Sequence, residues 1–150
     1  MLRFTDEQIA FQEVPNEVSL AFTIAGCTLG CKGCHSSYSW QANQGTALTP
    51  VYLQHRLDSY KNLISCVLFL GGEWQPEPLL SLLTVCRQAG LHTCLYTGLD
   101  DVSSELKQQL TYLKTGRWQP ELGGLNSPHT NQVFTDLRSN ARLNHLFVKP

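Results

Sequence analysis

Three cysteines placed close together are the residues of this chain whose spacing most directly predicts chemistry. Cys27, Cys31 and Cys34 form a C-x₃-C-x₂-C pattern directly after an apolar stretch, residues 18–25. Three thiolates on one short loop can converge on a single inorganic centre, and an iron–sulfur cube usually takes four cysteines. Three cysteines therefore leave one iron open to a ligand that the protein does not supply. The pattern predicts a [4Fe–4S] cluster with one vacant coordination position.

Two other interpretations of the same residues stay open. A structural zinc ion needs a fourth ligand, for which His35 is the nearby candidate, but His35 directly follows Cys34 and the geometry is poor. The segment from Cys31 to His35 also satisfies C-x-x-C-H, the pattern of haem attachment. Haem attachment belongs to exported proteins, whereas residues 1–10 lack the apolar core of a signal peptide. We therefore favour the open cluster.

The motifs around these cysteines resemble those of a known enzyme family. A C-x₃-C-x₂-C pattern after a strand is similar to the signature of radical S-adenosylmethionine enzymes. Further motifs resemble one small branch, the activating proteins of anaerobic (class III) ribonucleoside-triphosphate reductase. These motifs, spread over about residues 20–132, are Gly26-Cys27, Gly33-Cys34, Trp40-x-x-Asn43-x-Gly45, Leu70-Gly71-Gly72-Glu73, Tyr96-Thr97-Gly98, Leu113-Lys114-Thr115-Gly116 and Asn131-Gln132.

The resemblance implies an activating enzyme for a glycyl-radical protein. In that family the open iron is chelated by the amino and carboxylate groups of S-adenosylmethionine, and an electron passing through the cluster cleaves it to methionine and a 5′-deoxyadenosyl radical. The radical then abstracts a hydrogen from a glycine of the partner, here the large subunit of anaerobic ribonucleotide reductase. The resemblance also implies a low-potential electron donor such as flavodoxin or ferredoxin.

The resemblance also implies where the cofactor binds. Gly71, Gly72 and Glu73 match the glycine-rich motif assigned to the methionine amino group, and a carboxylate can accept from an ammonium group. Trp74 stands where the family commonly has proline, so the turn after Glu73 is expected to differ. Thr97 either contacts the ligand ribose or only ends a strand.

Around the last cysteine, the resemblance implies that Gly33, Cys34 and His35 lie beside the cofactor. Gly33 occupies a position where many radical enzymes carry an aromatic residue. His35 either contacts the adenine edge or is solvated. Trp40 either packs in the core or contacts the cofactor or partner. In the loop of residues 115–132, Asn126, Asn131 and Gln132 either shape the partner surface or are solvated.

Three rival functions remain. A small radical enzyme acting on a small heterocycle, similar to the deazaguanine-type synthases, would use the same cluster. A non-catalytic iron–sulfur electron carrier would have all four irons closed by protein ligands. A zinc-binding interaction module would use the cysteines for structure alone. We favour a protein substrate because a chain of 150 residues leaves little room for a second closed pocket.

The elements that must position these residues alternate between strands and helices. Apolar runs and helix-boundary residues predict strands over 18–25, 64–70, 91–96, 112–114, 133–136 and 143–148, and helices over 50–62, 78–88 and 101–109. Thr49 and Pro50 are expected to begin the first helix, and Asp100 or Asp101 to cap the third. Residues 1–17 are expected to form a short strand or arm followed by a turn, and residues 36–48 to be irregular. Alternation favours a parallel α/β sheet. A complete eightfold barrel typically needs ~250 residues, so we expect a partial, open (β/α) barrel of mostly parallel strands in a single domain, residues 1–150.

Composition limits the classes of partner. Hydrophobic residues make up 42% and charged residues 15% of the chain, as in an ordinary soluble globule. A net charge of −1 gives no reason to expect nucleic acid or an anionic membrane as a partner. We expect the protein to act in the cytoplasm, where Cys66, Cys86 and Cys94 would be buried thiols rather than disulfides.

Overall fold

The computed structural model describes residues 1–26 and 45–148. The interpretations that concern the three clustered cysteines, Gly33, His35, Trp40 and Asn43 lie outside the described residues. The elements are strands β1 (Arg3–Ala10), β2 (Ser19–Ile24), β3 (Thr46–Ala47), β4 (Cys66–Leu70), β5 (His92–Tyr96), β6 (Tyr112–Thr115), β7 (Val133–Asp136) and β8 (Ala141–Arg142), helices α1 (Pro50–Ser59), α2 (Pro76–Gln88) and α3 (Ser104–Gln108), and a 3₁₀-helix (Asn144–Leu146).

The eight strands of the described ranges form a single mixed sheet that does not close on itself. Their order is β3-β1-β2-β4-β5-β6-β7-β8. The four central strands, β2, β4, β5 and β6, run parallel to one another, whereas β1 and β3 on one margin and β7 and β8 on the other pair antiparallel. The predicted α/β class is confirmed, but the expectation of mostly parallel strands holds only for the centre of the sheet.

Both faces of the central strands are covered, as their continuous apolar sequences predict. The helices α1, α2 and α3 cover one face with a cluster that includes Phe22, Phe69 and Leu83. The other face carries a second cluster, in which Val14 and Leu125 come from connections rather than helices.

The start of α1 is as predicted. The Thr49 side chain accepts a hydrogen bond from Tyr52 N at 3.0 Å, and Pro50 opens the helix. Helix α2 begins at Pro76, two residues earlier than expected, because a turn in which Gln75 N donates to Gly72 O already directs the chain into it. The predicted cap of α3 is wrong: Ser103, not Asp100 or Asp101, accepts from Leu106 N.

The predicted last strand, residues 143–148, is also wrong. The Asn144 side chain accepts from Phe134 N and donates to Gln132 O, both at 2.8 Å, and so takes the place of backbone pairing beside β7. The strand there is instead β8, Ala141–Arg142. On the opposite margin, Thr46–Ala47 pairs with β1 inside a stretch expected to be irregular.

The three cysteines outside the cluster pattern are buried as predicted. Cys66, Cys86 and Cys94 are each 0% exposed and form no disulfide among the described residues. Burial raises the pKa of the Cys66 thiol to about 12, so this thiol stays protonated at neutral pH. Within residues 1–26 and 45–148, no helix is both long enough and apolar enough to cross a membrane.

Candidate cofactor site at the carboxyl edge of the sheet

The motif residues of the described chain meet at one edge of the sheet. Because the four central strands are parallel and adjacent, the residues that follow them lie side by side, and ligands of parallel α/β sheets bind at that edge. These residues are Gly26 after β2, Gly71, Gly72 and Glu73 after β4, Thr97 after β5, and Gly116 after β6.

The segment that carries the three clustered cysteines is bounded by residues that β1 holds together. Phe4 is paired with Ile24 on one side and with Thr46 on the other. The Arg3 guanidinium donates to the carbonyl oxygen of Gly45. A Cβ at Gly45 would lie 2.0 Å from Phe4 O, so this position requires glycine. Gly26 and Gly45, the described residues on either side of this segment, therefore follow and precede strands that both pair with β1.

The Gly71-Gly72-Glu73 turn has a backbone that only glycine adopts readily. Gly71 has φ of 99° and Gly72 has φ of 112°, both in the left-handed region. The Trp74 ring packs against Gly71, so closely that a Cβ there would lie 2.6 Å from Trp74 Cη2. Trp74 also packs against the helix-side core. The residue at the family's proline position thus serves as a packing anchor, and α2 still begins directly after the turn.

The Glu73 carboxyl group has one satisfied and one unsatisfied oxygen. Oε1 accepts from the Thr97 hydroxyl at 2.6 Å. Oε2 is buried and has no hydrogen-bond partner within the described part of the chain. Burial raises the pKa of Glu73, and this effect outweighs the Thr97 hydrogen bond and the nearby charge of Lys114, which lower it. A buried acceptor without a donor is costly, so Oε2 is suited to a ligand that brings a donor.

Lys114 is a member of this site that the sequence analysis missed as a site residue. It is 9% exposed, and Nζ donates to Thr97 O at 3.3 Å and to Gly116 O at 2.9 Å. Its ammonium group also lies 5.8 Å from the centre of the Tyr96 ring. A charged residue inside the buried strand β6 is the sequence signal that could have revealed it, because lysine is rarely buried without a role.

Another glycine at this edge, Gly116 after β6, packs closely against the backbone that precedes β7. Gly116 has φ of 104°, and a Cβ there would lie 3.0 Å from Asn131 O. Gln132 is 6% exposed and its side-chain amide donates to Gly116 O at 3.5 Å. Asn131 donates to Arg117 O, whereas its Oδ1 is buried without a partner in the described ranges. Gln132 is therefore part of the site's frame rather than a solvated loop residue.

The arrangement fits a ligand with a positively charged donor group. Within the described ranges, Glu73 Oε2 is buried without a hydrogen-bond donor, and the two glycines before it adopt φ values in the left-handed region. The cysteine-bearing segment begins one residue after Gly26, at the end of the neighbouring strand β2. Among the described residues, no group of three His, Cys, Asp or Glu side chains is placed to hold a metal ion.

Comparison with known families identifies the chain as an iron–sulfur protein. Residues 17–117 match the 4Fe-4S single cluster domain, and the chain belongs to this family. It is similar to the pyruvate formate-lyase-activating enzyme of Clostridium pasteurianum, with 36% identity over an alignment of 78 residues that covers 48% of this chain and 33% of that enzyme. It is also 30% identical over 78 residues to the pyruvate formate-lyase 1-activating enzyme of Escherichia coli K12, covering 48% of this chain and 32% of the relative. The matched stretch is about a third of the length of each relative.

Proposed function

We propose that this protein is a glycyl-radical activating enzyme of the radical S-adenosylmethionine type. In this proposal, Cys27, Cys31 and Cys34 hold a [4Fe–4S] cluster and S-adenosylmethionine binds beside it. When bound, the cluster supplies the electron that cleaves S-adenosylmethionine to methionine and the 5′-deoxyadenosyl radical. Membership of a [4Fe–4S] family and similarity to two activating enzymes support this reaction.

The single observation that carries the proposal is the unsatisfied Oε2 of Glu73. The amino group of S-adenosylmethionine is an ammonium donor, and a charge-assisted hydrogen bond to a buried carboxylate is among the strong ones. Gly71 and Gly72 let the backbone approach the methionine part of the cofactor. Gly33, Cys34 and His35 are proposed to complete the cofactor contacts. The same unsatisfied oxygen favours an enzyme over an electron carrier, because a carrier has no second ligand to bind.

We further propose that the glycine belongs to the large subunit of anaerobic ribonucleoside-triphosphate reductase. Support for this partner comes from the motifs that run from Gly26 to Gln132, whereas the curated relatives are named for pyruvate formate-lyase. A low-potential flavodoxin or ferredoxin would deliver the electron, and the cytoplasm is the proposed compartment. The described sheet would then be part of a partial, open barrel.

The proposal is tested by anaerobic reconstitution with iron and sulfide. Iron content and the electron paramagnetic resonance spectrum identify the cluster, and 5′-deoxyadenosine is measured after adding S-adenosylmethionine and a strong reductant. A glycyl signal is then sought on added anaerobic ribonucleotide reductase, with pyruvate formate-lyase in a parallel sample. We expect 5′-deoxyadenosine to form even without a partner protein. We expect a glycyl signal on the reductase and none on pyruvate formate-lyase.

Cysteine variants provide the matched control. Cys27→Ala, Cys31→Ala and Cys34→Ala should each reduce 5′-deoxyadenosine formation to background, because each removes a proposed cluster ligand. Cys94→Ala should retain the cluster and the reaction, because Cys94 is fully buried in the core. A protein that binds zinc, or that holds iron without cleaving S-adenosylmethionine, would contradict the proposal. Cleavage without a glycyl signal on either partner would favour a small-molecule substrate.

A further inference from the structure

The Thr97 hydroxyl makes two hydrogen bonds among the described residues. Its oxygen accepts from Leu99 N at 3.1 Å, and it lies 2.6 Å from Glu73 Oε1. A hydroxyl has one proton, and an ionised carboxylate can only accept. The Thr97 hydroxyl therefore donates its proton to the ionised carboxylate of Glu73, while one of its lone pairs accepts from Leu99 N.

The backbone of Thr97 is held equally firmly. Its N–H donates to Lys114 O at 2.9 Å, and its own carbonyl oxygen accepts from Lys114 Nζ at 3.3 Å. Thr97 is 2% exposed. The backbone of Thr97 is thus bound to both the main chain and the side chain of the buried Lys114. The Thr97 hydroxyl therefore has little freedom to turn away from Glu73.

This contact decides which oxygen of Glu73 is available. With Oε1 bound to Thr97, Oε2 is the oxygen left buried without a partner in the described ranges. Rotating the carboxylate would break the short bond to Thr97. The Thr97 bond also favours the ionised carboxylate, because hydrogen bonding lowers the pKa of Glu73 against the larger effect of burial, which raises it.

We propose that Thr97 is a positioning residue that directs Glu73 Oε2 towards the ammonium group of S-adenosylmethionine. This inference rests on the proposed function and deepens it. It assigns Thr97 a role through Glu73 instead of a hydrogen bond donated to the ribose, because its single proton is already donated to Glu73.

The experiment measures equilibrium binding to the anaerobically reconstituted holoenzyme with two probes, S-adenosylmethionine and 5′-deoxyadenosine. Thr97→Val removes the hydroxyl with little change in shape, and Thr97→Ser keeps it. We expect Thr97→Val to weaken S-adenosylmethionine binding about tenfold, the order expected for losing one charge-assisted hydrogen bond. Binding of 5′-deoxyadenosine, which has ribose but no ammonium group, should stay unchanged, and Thr97→Ser should bind both probes like the wild type.

Two further readouts separate positioning from a general structural effect. In the Glu73→Gln background, Thr97→Val should change affinity by less than about twofold, because residues that act through one another are not additive. The pH below which S-adenosylmethionine binding is lost should be higher in Thr97→Val than in the wild type. Denaturant unfolding checks that each variant folds, and Thr97→Ala replaces Thr97→Val if the valine variant does not.

Each result decides the matter. Equal weakening for both probes would assign Thr97 to the ribose and overturn the inference, as would an additive effect in the Glu73→Gln background. Unchanged affinity in Thr97→Val would also overturn it while leaving the proposed function intact. Wild-type holoenzyme that does not bind S-adenosylmethionine would refute the proposed function and this inference with it.

Discussion

A glutamate lies at each end of the central strands, and the two glutamates differ in their hydrogen bonding. At the amino edge, Glu17 Oε2 accepts from the Tyr112 hydroxyl at 3.1 Å and contacts His92 Nδ1. Arg138 in turn donates to the Tyr112 hydroxyl. At the carboxyl edge, Glu73 Oε1 accepts a side-chain hydrogen bond from Thr97, and Oε2 has no partner in the described ranges.

We propose that this difference separates a structural carboxylate from one that binds a ligand. Burial and the charge of Glu17 raise the pKa of Tyr112 to about 12, so the tyrosine remains a hydrogen-bond donor at neutral pH. Polar groups at the amino end of parallel strands typically serve stability, whereas those at the carboxyl end serve chemistry. Glu17 Oε2 is bound by two side chains, whereas Glu73 Oε2 is buried without a partner in the described ranges, and this contrast distinguishes the two residues.

The largest expected effect comes from removing the charge of each glutamate in turn. Glu73→Gln should weaken S-adenosylmethionine binding by about 10- to 100-fold, because a charged hydrogen bond contributes about 1.5–3 kcal/mol. Glu17→Gln should leave that affinity unchanged but lower the free energy of unfolding by about 1–2 kcal/mol, since its buried partners lose a charged acceptor. Calorimetric titration and urea unfolding of the same two holoenzymes provide the measurements. Equal loss of binding in both variants would erase the distinction between the edges.

A smaller effect is expected from a pair of glycine substitutions. Gly71→Ala adds a Cβ at φ of 99° and 2.6 Å from Trp74 Cη2, whereas Gly90→Ala at φ of 78° meets nothing within 4 Å. Gly71→Ala should therefore cost about 2 kcal/mol or more, from backbone strain and overpacking together. Gly90→Ala should cost about 1 kcal/mol, from strain alone. Denaturant midpoints measure both; a larger cost at Gly90 would show that the carboxyl-edge turn is not tightly packed.

The smallest effect concerns the dependence of stability on pH. Because burial raises the pKa of Glu73 above its ordinary value of 4.5, the folded protein binds this proton more tightly than the unfolded chain. The stability of the ligand-free holoenzyme relative to Glu73→Gln should fall as pH rises from 4.5 through the raised pKa, and then become constant. The slope for one group is at most about 1.4 kcal/mol per pH unit.

Urea unfolding of both proteins at several pH values gives this difference. Saturating S-adenosylmethionine should reduce or reverse the slope, because an ammonium partner favours the ionised carboxylate. A difference that rises with pH in the ligand-free protein would mean that the pKa of Glu73 is lowered rather than raised.

Local sequence signals predicted most of the framework. The apolar runs of β2, β4 and β5 and the Thr49-Pro50 helix start are recognisable within a few residues. The prediction of the α3 cap was wrong because Asp100, Asp101 and Ser103 are all good capping residues, and backbone geometry selects among them. The last predicted strand was wrong because the Asn144 side chain, ten residues from its partner Phe134, replaces backbone pairing.

The site was predictable as a motif but not as a set of contacts. Gly71, Gly72 and Glu73 stand out in the sequence, and the structure brings them to the expected edge. The bonds that join Glu73, Thr97 and Lys114 depend on β5 and β6 being parallel neighbours in one register, with Tyr96 opposite Lys114. Pairing between distant strands leaves no mark in the local sequence, so Lys114 could not be assigned a partner beforehand.

The position of Phe4, paired at once with Ile24 and Thr46, has an evolutionary consequence. The residues between Ile24 and Thr46 connect two positions that β1 already holds near each other. Doubling the length of such an insert costs only about 0.6 kcal/mol in chain entropy. Insertions and deletions between Ile24 and Thr46 are therefore expected to be tolerated while β1 keeps both of its pairings.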